Sequence, residues 1–98
     1  MRARLLHITL LHRMILVQGR VQGVGYRASA MDEAKRLGLS GTARNLPSGG
    51  VEIHVEGSSE QIEAFTHWAG RGPALARVDE LQFTDGPPIA LTGDRIIR

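Results

Sequence analysis

The chain has 98 residues, a formal net charge of +2, 42% hydrophobic and 22% charged residues, and no cysteine. That length supports one small domain with a core of its own. The lack of cysteine excludes a disulfide framework, a thiolate nucleophile and a Cys-ligated zinc site, and it fits a reducing compartment, here read as the cytoplasm. The arginines are scattered rather than run together, so the mild basicity does not make a nucleic-acid-binding patch.

Residues 1–12 are apolar from Leu5 to Leu11 but interrupted by His7. The run is much shorter than the roughly 20 residues of a membrane-spanning helix, and no signal-type cleavage site follows. They read as an N-terminal extension ahead of a domain over 13–98, with Met14 an alternative natural start and no membrane partner expected. Arg13 then opens the first strand, whose apolar run Met14-Ile15-Leu16-Val17 suits a central position in a sheet.

A helix follows over about 26–37, with Ala30, Met31, Ala34 and Leu37 at helical spacing, Lys35 and Arg36 in the last turn and Gly38 as its stop. A strand over about 40–46 meets the turn Pro47-Ser48-Gly49-Gly50. Val51, Ile53 and Val55 then alternate with Glu52, His54 and Glu56, so the two strands form a hairpin. Ser58 and Gln61 make a capping box ahead of Ile62, Phe65, Trp68 and Ala69, a second helix ended by Gly70 or Gly72. A fourth strand spans about 76–84, Pro87-Pro88 breaks the chain, and Ile89 to Ile97 leaves room for a short fifth strand at the edge. The order β-α-β-β-α-β is the split arrangement of α+β, ferredoxin-like sandwiches, an antiparallel sheet with two helices on one face.

The loop between the first strand and helix reads Gly19-Arg20-Val21-Gln22-Gly23-Val24-Gly25-Tyr26-Arg27. Gly23, Gly25 and Ala28 fit a dinucleotide-binding fingerprint, but Arg44 and Asn45 stand where its acidic partner should be, and a hairpin replaces the parallel second strand. No Gly-Lys pair exists for a P-loop. Asp32-Glu33 and Asp79-Glu80 are adjacent pairs whose side chains diverge, and His7, His12, His54 and His67 show no metal-ligand spacing. An RNA-recognition sheet would need paired aromatics that Met14–Val17 and Val51–Val55 lack.

What remains is a nest of backbone N–H groups at a helix start, joined by the donor fork of Arg27, suited to an anion such as phosphate. The same glycines also suit a plain tight turn with Arg27 solvated, and the residues alone weigh the two evenly. Asn45 alone reads slightly better as a turn former than as a functional group.

The loop resembles the acylphosphatase signature G-x-V-Q-G-V-x-[FY]-R. The stretch from Gly41 to Glu52 is similar to that family's second motif, and Gly72 to Asp79 to the entry of its fourth strand. Thr42 and Ala43 replace the aromatic and the larger aliphatic usual there. The resemblance implies a ferredoxin-like fold and hydrolysis of acyl phosphates without metal or cofactor, with inorganic phosphate as product and inhibitor. Carried onto this sequence, it implies that Arg27 binds the phosphoryl group and stabilises the transition state. Backbone N–H groups of Val21, Gln22, Gly23, Val24, Gly25 and Tyr26 would form the cradle, and Asn45 would hold the attacking water. Tyr26 is expected to pack at the helix start. The side chains of Arg20 and Gln22 are assigned no role, and Arg77 is placed on a surface strand. A monomer is expected. The alternative is a non-catalytic anion-binding module. Related domains occur within larger carbamoyl-transfer enzymes, but no zinc-finger or transferase segment follows in this sequence.

Overall fold

A computed structural model of the chain describes residues 9–97. Its elements run β1 (Leu10–Arg20), α1 (Tyr26–Arg36), β2 (Ser40–Asn45), β3 (Val51–Ser58), α2 (Ser59–Ala69), β4 (Arg77–Gly86) and β5 (Asp94–Ile97). The strands form one sheet in the order β4-β1-β3-β2-β5. β1 pairs antiparallel with both β3 and β4, and β2 pairs antiparallel with β3. The expected fifth strand is present, but it runs parallel to β2, so the sheet is mixed rather than purely antiparallel. The cause is the connection over 87–93, which carries the chain from the β4 edge to the opposite edge, where it arrives in the direction of β2. Glu56 fastens that connection by accepting hydrogen bonds from the backbone N–H groups of Ile89 and Leu91.

Side chains two apart on a strand share a face, so Ile15 and Val17 of β1 join Ala43 of β2 and Val51, Ile53 and Val55 of β3 beneath the helices. Ala30, Met31 and Ala34 of α1 and Ile62, Phe65 and Ala69 of α2 close the core from above. At α2 the capping box is complete. Ser58 Oγ accepts from the Gln61 N–H, and Gln61 Oε1 accepts from the Ser58 N–H at 2.9 Å. A cap of this kind stabilises a helix by about 1 kcal/mol. The amide of Gln61 also donates to the carbonyl of Leu37 at 2.9 Å, joining the start of α2 to the end of α1.

β1 begins at Leu10, three residues before the expected Arg13, because Leu10, Leu11 and His12 pair with Ser58, Gly57 and Glu56. His7 and the rest of residues 1–8 lie outside the described residues. Arg13 interrupts an apolar run in the sequence, yet it is only 4% exposed and points to the helix side. There it meets Asp85 through two nitrogens at 2.7 and 2.9 Å, Glu63 at 2.8 Å and Thr66 Oγ1 at 3.0 Å. Its guanidinium lies 3.8 Å from the Phe83 ring centroid, which gives the half-exposed edge aromatic a partner. Arg13 therefore ties β1 to α2 and β4.

Candidate functional site

β1 ends in a bulge. Its register against β4 shifts between Gln18 and Gly19, and Gly19 takes φ +132°. A side chain there would collide with the carbonyl oxygen of Arg77, so only glycine permits this approach. The bulge turns the chain into the loop that leads to α1. Gly23 and Gly25 both adopt left-handed backbone, φ +75° and +77°, and Gly25 is the residue that caps the helix.

The consequence is a set of backbone donors without a protein acceptor among the described residues. Among the described residues, no acceptor takes the N–H groups of Gln22, Gly23, Val24 or Gly25. The first turn of α1 has orphan N–H groups as every helix does, and here, among the described residues, there is no side-chain cap and the turn itself holds no acidic residue. The contrast with the fully capped α2 lies within one chain. The first of these helices presents free donors and the positive end of its dipole to the space in front of it.

That space is a cavity of about 150 Å³ lined by Val21, Gly23, Gly25, Tyr26, Arg27, Ala28, Asn45 and Ile96. Arg27, in the first turn of α1, has no carboxylate within ion-pair distance among the described residues. Asn45 is the last residue of β2, opposite Val51, and reaches the same cavity from the sheet. Residues 18 positions apart thus meet at one end of the fold. Of the expected cradle, Val21, Gly23, Gly25 and Tyr26 line the cavity, whereas Gln22 and Val24 do not. Val24 packs its side chain against the core.

Tyr26 is buried as expected, and it also supports the site. Its hydroxyl donates to the Ala69 carbonyl at 2.7 Å, and its ring lies 5.6 Å from that of Trp68. This fixes the first residue of α1 to the last of α2. Burial pushes the hydroxyl well above its ordinary pKa, so it remains a donor at any physiological pH.

Two contributions escaped the sequence reading. Gln22 uses its side-chain amide to bind the carbonyls of Leu46 and Gly50, both at 2.8 Å. Ile96 of β5 reaches the cavity because the parallel pairing sets it beside Ala43, on the face that β2 turns toward α1. A short edge strand without alternation gave no signal of that placement.

The other charged candidates lie elsewhere. Arg77 pairs with Asp79 on exposed β4, as expected of a surface strand, and Arg20 is exposed at the end of β1, opposite Arg77. Glu33 binds Arg36, and Glu80 accepts from Gln82. His67 is exposed on α2. His12 and His54 are not independent surface residues, since their ring nitrogens approach to 2.8 Å across β1 and β3. Burial, with His54 alongside, holds His12 below the ordinary histidine range. Among the described residues, no three His, Asp or Glu side chains converge at metal-binding distance, and no helix is long and apolar enough to cross a membrane.

Comparison with known proteins adds a consistent set of likenesses. The family model described as acylphosphatase matches residues 13–93. An acylphosphatase of Thermus thermophilus is 53% identical over 78 residues, 80% of this chain and 89% of that protein. Among solved structures, acylphosphatase from Bacillus subtilis superposes with a TM-score of 0.87 at 30% identity, covering 90% of this chain and 99% of that one. Full-length HypF in its phosphate- and nucleotide-bound form gives a TM-score of 0.83 at 29% identity, over 99% of this chain but 13% of that one.

Proposed function

The chain belongs to the acylphosphatase family, and from that premise we propose how its own residues hydrolyse an acyl phosphate to a carboxylate and inorganic phosphate. The reading is carried by one observation: Gly23 and Gly25, whose N–H groups have no acceptor among the described residues, border one small cavity together with Arg27 and Asn45. The phosphoryl group sits in the cradle of residues 21–26, its equatorial oxygens facing the loop N–H groups and the start of α1. Arg27 adds a planar fork of donors that matches two phosphoryl oxygens and follows the charge as it spreads in the transition state. Asn45 orients a water for in-line attack on phosphorus, using an amide that adds no charge to repel the phosphate.

The P–O bond to the acyl oxygen breaks as the water oxygen bonds to phosphorus, and the departing carboxylate is stable without a general acid. Positioning and charge stabilisation then supply most of the acceleration, and no metal is required. The product is the ligand that the cradle fits, so inorganic phosphate inhibits. All these groups come from one chain, which supports a monomer as the working unit, and the cysteine-free composition suits the cytoplasm. The test is hydrolysis of benzoyl phosphate in the presence of a chelator. Turnover that phosphate inhibits competitively is expected. Phosphate binding without turnover would instead identify a non-catalytic anion-binding module.

A further inference from the structure

Gln22 is the second residue of the loop 21–26, and its side chain does not line the cavity. Its Nε2 donates to two carbonyl oxygens at once, those of Leu46 and Gly50, each at 2.8 Å. Leu46 directly follows Asn45, and Gly50 directly precedes Val51, the residue paired with Asn45 across the hairpin. The hairpin turn is closed by its own bonds, from the Leu46 N–H to the Gly50 carbonyl and from the Gly49 N–H to the Leu46 carbonyl. Gln22 therefore grips both arms of a rigid turn at the step just beyond the pair that carries Asn45. Among the described residues, these are the only hydrogen bonds between the loop 21–26 and the segment 45–51. A primary amide is suited to the task, since its two N–H bonds serve two carbonyls, whereas a carboxylate has none to give.

We propose that Gln22 is a positioning residue that sets the separation between the phosphate cradle and Asn45, and that it acts on the reaction only through Asn45. The proposal rests on the roles given above to the cradle and to Asn45. Its logic is a division of labour. The donors given to phosphate are backbone N–H groups of the loop and α1 with the Arg27 side chain. A side-chain substitution at Gln22 keeps all of them, so phosphate binding is retained when the contact with the hairpin is lost. The water held by Asn45 comes from the other side of the clamp, so releasing the hairpin spoils in-line alignment. A misplacement of about 1 Å costs up to about 100-fold in rate.

The experiment measures kcat for benzoyl phosphate and the inhibition constant of inorganic phosphate for Gln22→Ala and Gln22→Met. The second variant keeps the bulk of the side chain while removing both donors. Each substitution is made in the wild-type and in the Asn45→Ala background, with thermal unfolding followed for all. In the wild-type background kcat should fall about 10- to 100-fold, with the phosphate inhibition constant changed by less than about threefold. In the Asn45→Ala background the same substitutions should cost less than about threefold, the non-additivity of residues that work as a unit. Equal losses in both backgrounds, or phosphate binding that weakens in step with kcat, would overturn the proposal and leave Gln22 a residue that shapes the loop. Wild-type turnover that is absent, or that survives Asn45→Ala undiminished, would overturn the functional reading itself and this proposal with it.

Discussion

Two glycines of the same loop are required for different reasons, and substitution separates them. Gly25 has φ +77°, and a Cβ added there would meet nothing within 4 Å. The cost of Gly25→Ala is therefore conformational, about 1–2 kcal/mol for placing an L-residue in left-handed backbone. For a domain of this size each kcal/mol lowers Tm by about 4–8 °C. Asparagine tolerates this conformation better than alanine, so Gly25→Asn should recover part of the loss. Gly19 differs, because its Cβ would strike the Arg77 carbonyl and lie 2.9 Å from the Asp79 nitrogen. Backbone atoms cannot rotate aside as a side-chain end can, so Gly19→Ala adds roughly 1–3 kcal/mol of overpacking to its backbone strain. It should also loosen the last β1–β4 pairs. Thermal and denaturant unfolding of the three variants provide the assay. The expected order of stability is Gly25→Asn, then Gly25→Ala, then Gly19→Ala. Equal Tm values for the two alanine variants, or an asparagine no better than alanine at position 25, would refute the reasoning.

Asn45→Ala should lower kcat by about 100-fold, the scale of one lost positioning contact, while phosphate still inhibits; loss of phosphate inhibition would place Asn45 in the cradle instead. Tyr26→Phe removes the bond to the Ala69 carbonyl and should cost about 1–3 kcal/mol in denaturant unfolding, since a buried acceptor is left unpaired; an unchanged midpoint would show that the hydroxyl contributes nothing. Hydrogen bonding to Arg13 holds the Asp85 carboxyl below its ordinary value of 3.8. Its stabilising contribution is complete above that value and is lost as pH falls through the lower folded-state value. Arg13→Met should therefore flatten the acid limb of the stability curve below pH 3.8, and an unchanged limb would contradict the assignment. Asp94 has the opposite sign, because burial raises its pKa and, among the described residues, its Oδ1 has no hydrogen-bond partner. Its contribution is favourable below the unfolded-state value and is lost as pH rises through the folded one, so Asp94→Asn should raise Tm at neutral pH; a lower Tm would contradict that.

The elements that sequence revealed are those set by local chemistry. The Ser58–Gln61 capping box, the Pro47–Gly50 turn and the alternation of Val51, Ile53 and Val55 each act within a few residues, and each is found where the pattern placed it. Asn45 as a partner of Arg27 rested on the family resemblance, since the residue alone reads as a turn former, and the hairpin is what brings the end of β2 to the start of α1. What stayed hidden depends on register between strands far apart in the chain. Arg13 breaks an apolar run in the sequence, and only its position two residues from Ile15 on the helix-facing side, opposite Asp85, gives it partners. The contact of His12 with His54 and the addition of β5 beside β2 are likewise cross-strand events with no local signature. Gln22 was legible as a loop residue, but not as the clamp on a turn 24 residues away.

The most direct measurement is the turnover of benzoyl phosphate, with chelator present, by the wild type and by Arg27→Ala and Arg27→Lys. The wild type should hydrolyse it. Arg27→Ala should lose at least about 100- to 1000-fold, the effect of removing one transition-state donor. Arg27→Lys should recover little, since a point charge cannot reproduce a bidentate fork. Undiminished activity in Arg27→Ala would contradict the claim that this arginine, without a carboxylate partner among the described residues, serves to bind a phosphoryl group.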